Sequence, residues 1–112
     1  VSVHHNTIKR FATSHKYGHS HGIAMNPGST GDVYNNWING PDEIGTPEPT
    51  TAITFYGQAE PNQHSFIYNN IIHHVDKAFV FFNREDAENQ SYEFSFNTIY
   101  NFTSASPTSV YC

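Results

Sequence analysis

The chain has 112 residues and a formal net charge of −5, with 13% of its residues charged and 15% aromatic. That length admits one domain around a single core. A negative balance lacks the basic patch that nucleic-acid binding draws on, and no run approaches the roughly 20 apolar residues that span a bilayer, so neither nucleic acid nor membrane insertion is expected.

From the N-terminus, "VHHNTIKRF" at Val3 is the first of four segments that align on an asparagine. "VYNNWINGP" follows from Val33, "IYNNIIHHV" from Ile67 and "FSFNTIYNF" from Phe94, which puts Asn6, Asn36, Asn70 and Asn97 in register at spacings of 30, 34 and 27 residues. Between them lie "GIAM" from Gly22, "AITF" from Ala52 and "AFVF" from Ala78, each a small residue followed by apolar residues in alternate positions. Segments such as "NPGSTG", "GPDEIGTPEPT" and "NREDAENQS" separate the runs, and their Gly, Pro, Asn and Asp supply turn conformations that stop a strand. β-Branched and aromatic residues concentrate in the short runs, and no long segment carries a helical period. The chain is expected to be all-β. Cys112 is its one cysteine, so no internal disulfide can form, and the start at Val1 reads as a processed or excerpted piece of something longer.

A period near 30 residues with two or three short strands describes a parallel β-helix, each turn of chain stacking on the last at about 4.8 Å. About four coils are expected, over residues 1–32, 33–66, 67–93 and 94–112. The asparagines make sense as a ladder at a tight bend, where Asn70 takes the left-handed conformation while its amide bonds the matching Asn of the next coil. Two places beyond each Asn stands an isoleucine, Ile8, Ile38, Ile72 and Ile99, as an inward column requires.

The pattern V-x-x-N-x-I followed by G-I-x-x resembles the repeats of right-handed parallel β-helix proteins of the pectate-lyase-like superfamily, over nearly the whole chain. That resemblance implies a polysaccharide as partner and an extracellular or cell-surface location. It implies little about activity, because such repeats encode coil geometry and function resides in outward side chains.

If Ile23, Met25, Ile53, Phe55, Phe79 and Phe81 point inward, then Ala24, Thr54 and Val80 form one outward column and Asn26, Tyr56 and Phe82 another. His4, Tyr34, Tyr68 and Ser95 form a third. Tyr34, Tyr68, Tyr56, Phe82 and Trp37 are therefore candidate carbohydrate-binding residues, as outward rings on which sugars would lie flat. The plain alternative is that the rings continue an ordinary solenoid stack or lie under flanking loops.

Eight histidines raise the question of a metal. Zinc needs three or four converging ligands, whereas His4–His5 and His73–His74 are expected in corresponding corners of coils separated by one full repeat, and His19 and His21 stand at strand spacing, so no metal site is assigned. His19, Ser20, His21 and Asp32 lack the nucleophile turn of a hydrolase triad. Asp32 and Glu93 share a column but are separated by Phe66, about 10 Å apart over two strand spacings, which suits paired acid–base catalysis poorly. A lyase would need calcium or arginine on a uronate carboxylate and a Lys or Arg base. Lys77 and Arg84, near Asp76 and Glu85, are the candidates for that base. No other cofactor is expected. The triplets at Asn89 and Asn101 would accept N-glycans in a secretory pathway.

Two functions stay open: carbohydrate binding, alone or as part of a lyase or hydrolase, and a structural solenoid. The second follows from the edges. With neither a capping helix nor a charge cluster at either end, the segment is expected to associate end to end if it exists alone.

Overall fold

The computed structural model of the chain describes residues 1–11, 20–26, 29, 31–40, 50–57, 64–83, 91–102 and 108–111. Among these residues there is no helix, and the strands are β1 (Ser2–His4), β2 (Thr7–Lys9), β3 (Ser20–Met25), β4 (Asp32–Tyr34), β5 (Trp37–Asn39), β6 (Thr50–Gly57), β7 (His64–Tyr68), β8 (Ile71–Val75), β9 (Lys77–Asn83), β10 (Ser91–Ser95), β11 (Thr98–Phe102) and β12 (Thr108–Tyr111). They form three four-stranded sheets in the orders β1-β4-β7-β10, β2-β5-β8-β11 and β3-β6-β9-β12. Every pairing is parallel. The chain thus visits the three sheets in one fixed order four times, and each visit is called a circuit below.

Register follows the asparagine alignment. Val3 pairs with Val33, Val33 with Ile67 and Ile67 with Phe94 in the first sheet. Ile8, Ile38, Ile72 and Ile99 pair in succession in the second. Ile23, Ile53 and Phe79 do so in the third, beside Met25, Phe55 and Phe81. Val33, Ile38, Ile53, Ile67 and Ile72 are wholly buried in the middle circuits, while Val3, Ile8 and Ile99 pack against the core only in part.

The asparagines are tied side chain to side chain. Asn6 donates its N–H and an amide hydrogen to Asn36 Oδ1, at 3.1 and 3.0 Å. Asn36 does the same to Asn70, and Asn70 to Asn97. The amides also donate back to carbonyls of the preceding circuit, Asn36 to Val3, Asn70 to Val33 and Asn97 to Ile67. Asn70 is wholly buried, so these bonds replace the water it gives up.

One expectation needs correction. The left-handed residue is the one before the ladder asparagine: His5, Asn35, Asn69 and Phe96 have φ of 56°, 54°, 53° and 55°. The Asn pairs at 35–36 and 69–70 divide two tasks, since a residue whose amide points along the stack cannot also be the one that reverses the backbone. A second corner follows the second sheet, with Arg10, His74 and Asn101 left-handed. Gly40 stands at this corner, where a Cβ would lie 1.7 Å from the His74 carbonyl oxygen, so no other residue fits.

The third sheet departs from the expected faces. Thr54 and Val80, on the side opposite Ile53 and Phe79, are buried like the core itself. Ala24, in the same column, is exposed, so the outward column is buried only in the middle strands β6 and β9.

Replacing Ile72 with Ala should cost about 2–5 kcal/mol, because the void sits between stacked isoleucines that cannot close in. Asn70→Ala should cost about 1–3 kcal/mol for each donor left unsatisfied at Asn36. Urea unfolding of both variants checks these values.

Candidate functional site

The first sheet carries a continuous outward column of rings. Its outward column stacks His4 on Tyr34 and Tyr34 on Tyr68, each pair with centroids 4.8 Å apart and interplanar angles of 12° and 1°. Parallel in-register pairing dictates this, since it repeats the same side-chain vector one strand spacing further on. The corner beside the column adds His5 and Asn35, whose amide Nδ2 lies 3.4 Å from His5 Nε2, and His4 Nδ1 meets His5 Nδ1 at 2.8 Å. On the other side run Asp32, Phe66 and Glu93. Phe66 N–H donates to Asp32 Oδ1 at 3.1 Å, and His64 Nε2 lies 3.9 Å from Glu93 Oε2. His64 Nδ1 also bonds Ser91 Oγ. The pKa of the half-buried Tyr68 phenol is pushed up by lost solvation, then by Tyr34 and Asp32.

The rings of this column stack on one another, which the flat-platform expectation did not include. Each interior ring face is occupied by the next ring, so the column presents ring edges, hydroxyls and imidazole nitrogens to solvent.

The other three candidates are elsewhere. Tyr56 and Phe82 stack at 5.0 Å and 3° on the third sheet, and Tyr56 hydroxyl bonds His21 Nε2 at 2.9 Å. His21 Nδ1 meets buried Thr54 Oγ1 at 2.7 Å, so both imidazole nitrogens are engaged. Trp37 is on the second sheet, with Lys9 Nζ 4.8 Å from its ring centroid and the His73 ring 5.6 Å away. The five aromatic candidates therefore belong to three separate faces and do not make one surface.

Asp32, Glu93 and Lys77 do not converge either. Asp32 and Glu93 are on the first sheet with Phe66 between them, and Lys77 is on the third, in register with Thr51. Asp76 is engaged at its own corner, where its Oδ2 accepts Thr50 N–H at 2.7 Å. Arg84, Glu85, Asn89, His19 and Cys112 lie outside the described residues.

The histidine pairs also prove unrelated. His4–His5 closes the first sheet and His73–His74 the second, because one pair precedes its ladder asparagine and the other follows it. Among the described residues no three His, Cys, Asp or Glu gather as metal ligands. His73 is nonetheless unusual. Its Nδ1 lies 2.6 Å from His74 Nδ1, its ring stacks on Tyr100 at 4.8 Å, and its buried Nε2 has no hydrogen-bond partner.

His64 and Ser91 lie just upstream of the aligned segments, yet extending the alignment pairs them: each stands three residues before an inward position, Ile67 or Phe94. The His21 contacts were not legible, since His21 is in register with Thr51 yet reaches Thr54 and Tyr56.

Burial, then His74, lowers the pKa of His73 below its ordinary value of 6.5. The unfolded chain then binds the proton more readily than the folded one, so stability is complete above about pH 6.5 and is lost as pH falls through the folded value. Unfolding midpoints measured from pH 8 downward should fall more steeply for the native chain than for His73→Phe.

Comparison of the chain with protein-family models, curated proteins and solved structures returns no match.

Proposed function

We propose that the chain is a right-handed parallel β-helix of four coils, of the pectate-lyase-like kind, whose first-sheet face binds an extracellular polysaccharide edge-on. The four-fold visit to three parallel sheets supports the coil reading, and parallel crossovers are right-handed in about 98% of cases. The observation that carries the binding reading is the His4–Tyr34–Tyr68 column itself. It sets hydrogen-bonding groups at a repeat of 4.8 Å on a rigid sheet, close to the rise of one sugar unit, with Asp32, Asn35, His64 and Glu93 on its flanks.

Binding along the stack axis would let successive sugars meet equivalent groups. Neutral hydroxyls, imidazoles and carboxamides suit polyol recognition, since each can donate or accept. Asp32 and Glu93 accept hydrogen bonds from sugar hydroxyls in this reading. Catalysis is not part of the proposal. Asp32 accepts Phe66 N–H, Glu93 lies 3.9 Å from His64, and Lys77 is on the third sheet, so these three described residues do not converge.

Edge-on and flat binding predict opposite results for one substitution. Tyr34→Phe with Tyr68→Phe keeps the ring stack and removes only the hydroxyls. Edge-on recognition predicts about tenfold weaker binding or more for this pair on a glycan array followed by calorimetry, whereas stacking on ring faces predicts no change. A native chain that binds no glycan ends the reading.

A further inference from the structure

Ser91 stands apart from the ring column, yet it is a nucleophile that the first sheet sets beside a base. β10 pairs with β7 in register, Ser91 against His64 and Glu93 against Phe66. Residues two apart on a strand share a face, so Ser91, Glu93, His64 and Phe66 project outward together, and all four are exposed. Glu93 is then diagonal to His64, a separation that long side chains bridge.

The contacts follow from this placement. Ser91 Oγ is hydrogen-bonded to His64 Nδ1. The other imidazole nitrogen, Nε2, lies 3.9 Å from Glu93 Oε2. At that distance the contact is electrostatic, and it strengthens when the imidazole takes up a proton. The Phe66 ring meets the imidazole edge to face, with centroids 4.4 Å apart at 71°, and so restricts its rotation.

Proton positions can be assigned from the partners. A carboxylate only accepts, so Glu93 favours the tautomer that carries its proton on Nε2. Nδ1 is left with its lone pair, and the Ser91 hydroxyl is the donor in the bond between them. A serine hydroxyl donating to an imidazole that faces a carboxylate is the arrangement that activates oxygen for nucleophilic attack.

We propose that Ser91, His64 and Glu93 form a nucleophilic-serine site that cleaves carboxylic esters, with Ser91 and His64 as the catalytic residues and Glu93 positioning the imidazole. Ser91 Oγ attacks the acyl carbon while its proton passes to His64 Nδ1. The C–O bond to the alcohol breaks, Nδ1 returns the proton to the leaving oxygen, and an acyl-serine remains. Water then attacks the acyl carbon and gives a proton to Nδ1, and the bond to Oγ breaks as Ser91 takes that proton back. One ester and one water become one carboxylic acid and one alcohol. Phe66, 41% exposed, offers apolar surface next to the nucleophile, so aryl and short acyl esters are the expected class. Because the site is open, water solvates the developing oxyanion and turnover is slow. The inference does not rest on the polysaccharide reading and uses neither Tyr34 nor Tyr68.

Reaction of the full chain with an alkyl fluorophosphonate, followed by tandem mass spectrometry, tests it. The adduct is expected on Ser91, with exposed Ser2 unmodified. His64→Phe keeps an aromatic ring beside Phe66 and removes the base, and should slow labelling about 100-fold or more. Glu93→Ala should slow it about tenfold and, in the nitrogen-15 spectrum of the His64 ring, turn one Nε2–H tautomer into a mixture. With p-nitrophenyl acetate the native chain should release a stoichiometric burst of nitrophenol that Ser91→Ala lacks, leaving only the slow hydrolysis of surface imidazoles. All three substitutions are at exposed positions, and an unchanged far-UV spectrum checks that each variant folds. Absence of a Ser91 adduct, labelling of His64→Phe as fast as native, a Glu93→Ala ring spectrum identical with the native one, or a burst that survives Ser91→Ala would each overturn the proposal.

Discussion

The buried asparagine ladder is the constraint on which the rest of the molecule depends. Amides at Asn36 and Asn70 are taken wholly out of water and are satisfied only if the Asn of the next circuit stands directly in line. A slip of one residue between circuits would leave several donors unpaired and turn every neighbouring side chain to the opposite face. Circuits of different length, 30, 34 and 27 residues from Asn to Asn, are held to one register by this means. The variation is absorbed between the strands.

Once register is fixed, like lies over like. Isoleucine stacks on isoleucine inside, and rings stack on rings outside, at 4.8 to 5.0 Å. The same rule accounts for the low charge content. A carboxylate repeated in a column would meet its own kind one strand spacing away, which is destabilising. Asp32 and Glu93 share a column only with Phe66 between them, and Lys9 stands where the next circuits carry Asn39 and His73. A surface built this way offers neutral hydrogen-bonding groups and ring edges in preference to charge clusters.

The corners are where side-chain chemistry and backbone demand conflict. The left-handed residue is Asn in two circuits, His in one and Phe in one, an order of decreasing fitness for that conformation. Histidines at the bends then meet each other at short range, His4 with His5 and His73 with His74, because a left-handed residue swings its side chain back toward its neighbour. Of these four His73 is the buried one, and burial followed by His74 lowers its pKa.

The amino-acid sequence by itself determined the all-β class, the repeat, the register of Asn6, Asn36, Asn70 and Asn97, and the columns of Ile8, Ile38, Ile72 and Ile99. These are properties of spacing, and in parallel stacking spacing along the chain translates directly into position. It also determined that His4, Tyr34 and Tyr68 share a column. What only the tertiary structure decided is how those groups face one another and the solvent. Ring faces are turned toward one another because in-register stacking sets the Tyr34 and Tyr68 centroids 4.8 Å apart, Thr54 is buried on the side opposite Ile53, and Tyr34, Tyr56 and Trp37 are on three different faces because their strands belong to three different sheets. The direction in which the chain turns at a corner depends on φ at single residues, and Asn69 and Asn70, identical in sequence, took different parts because the ladder can use only the one whose amide lies along the stack.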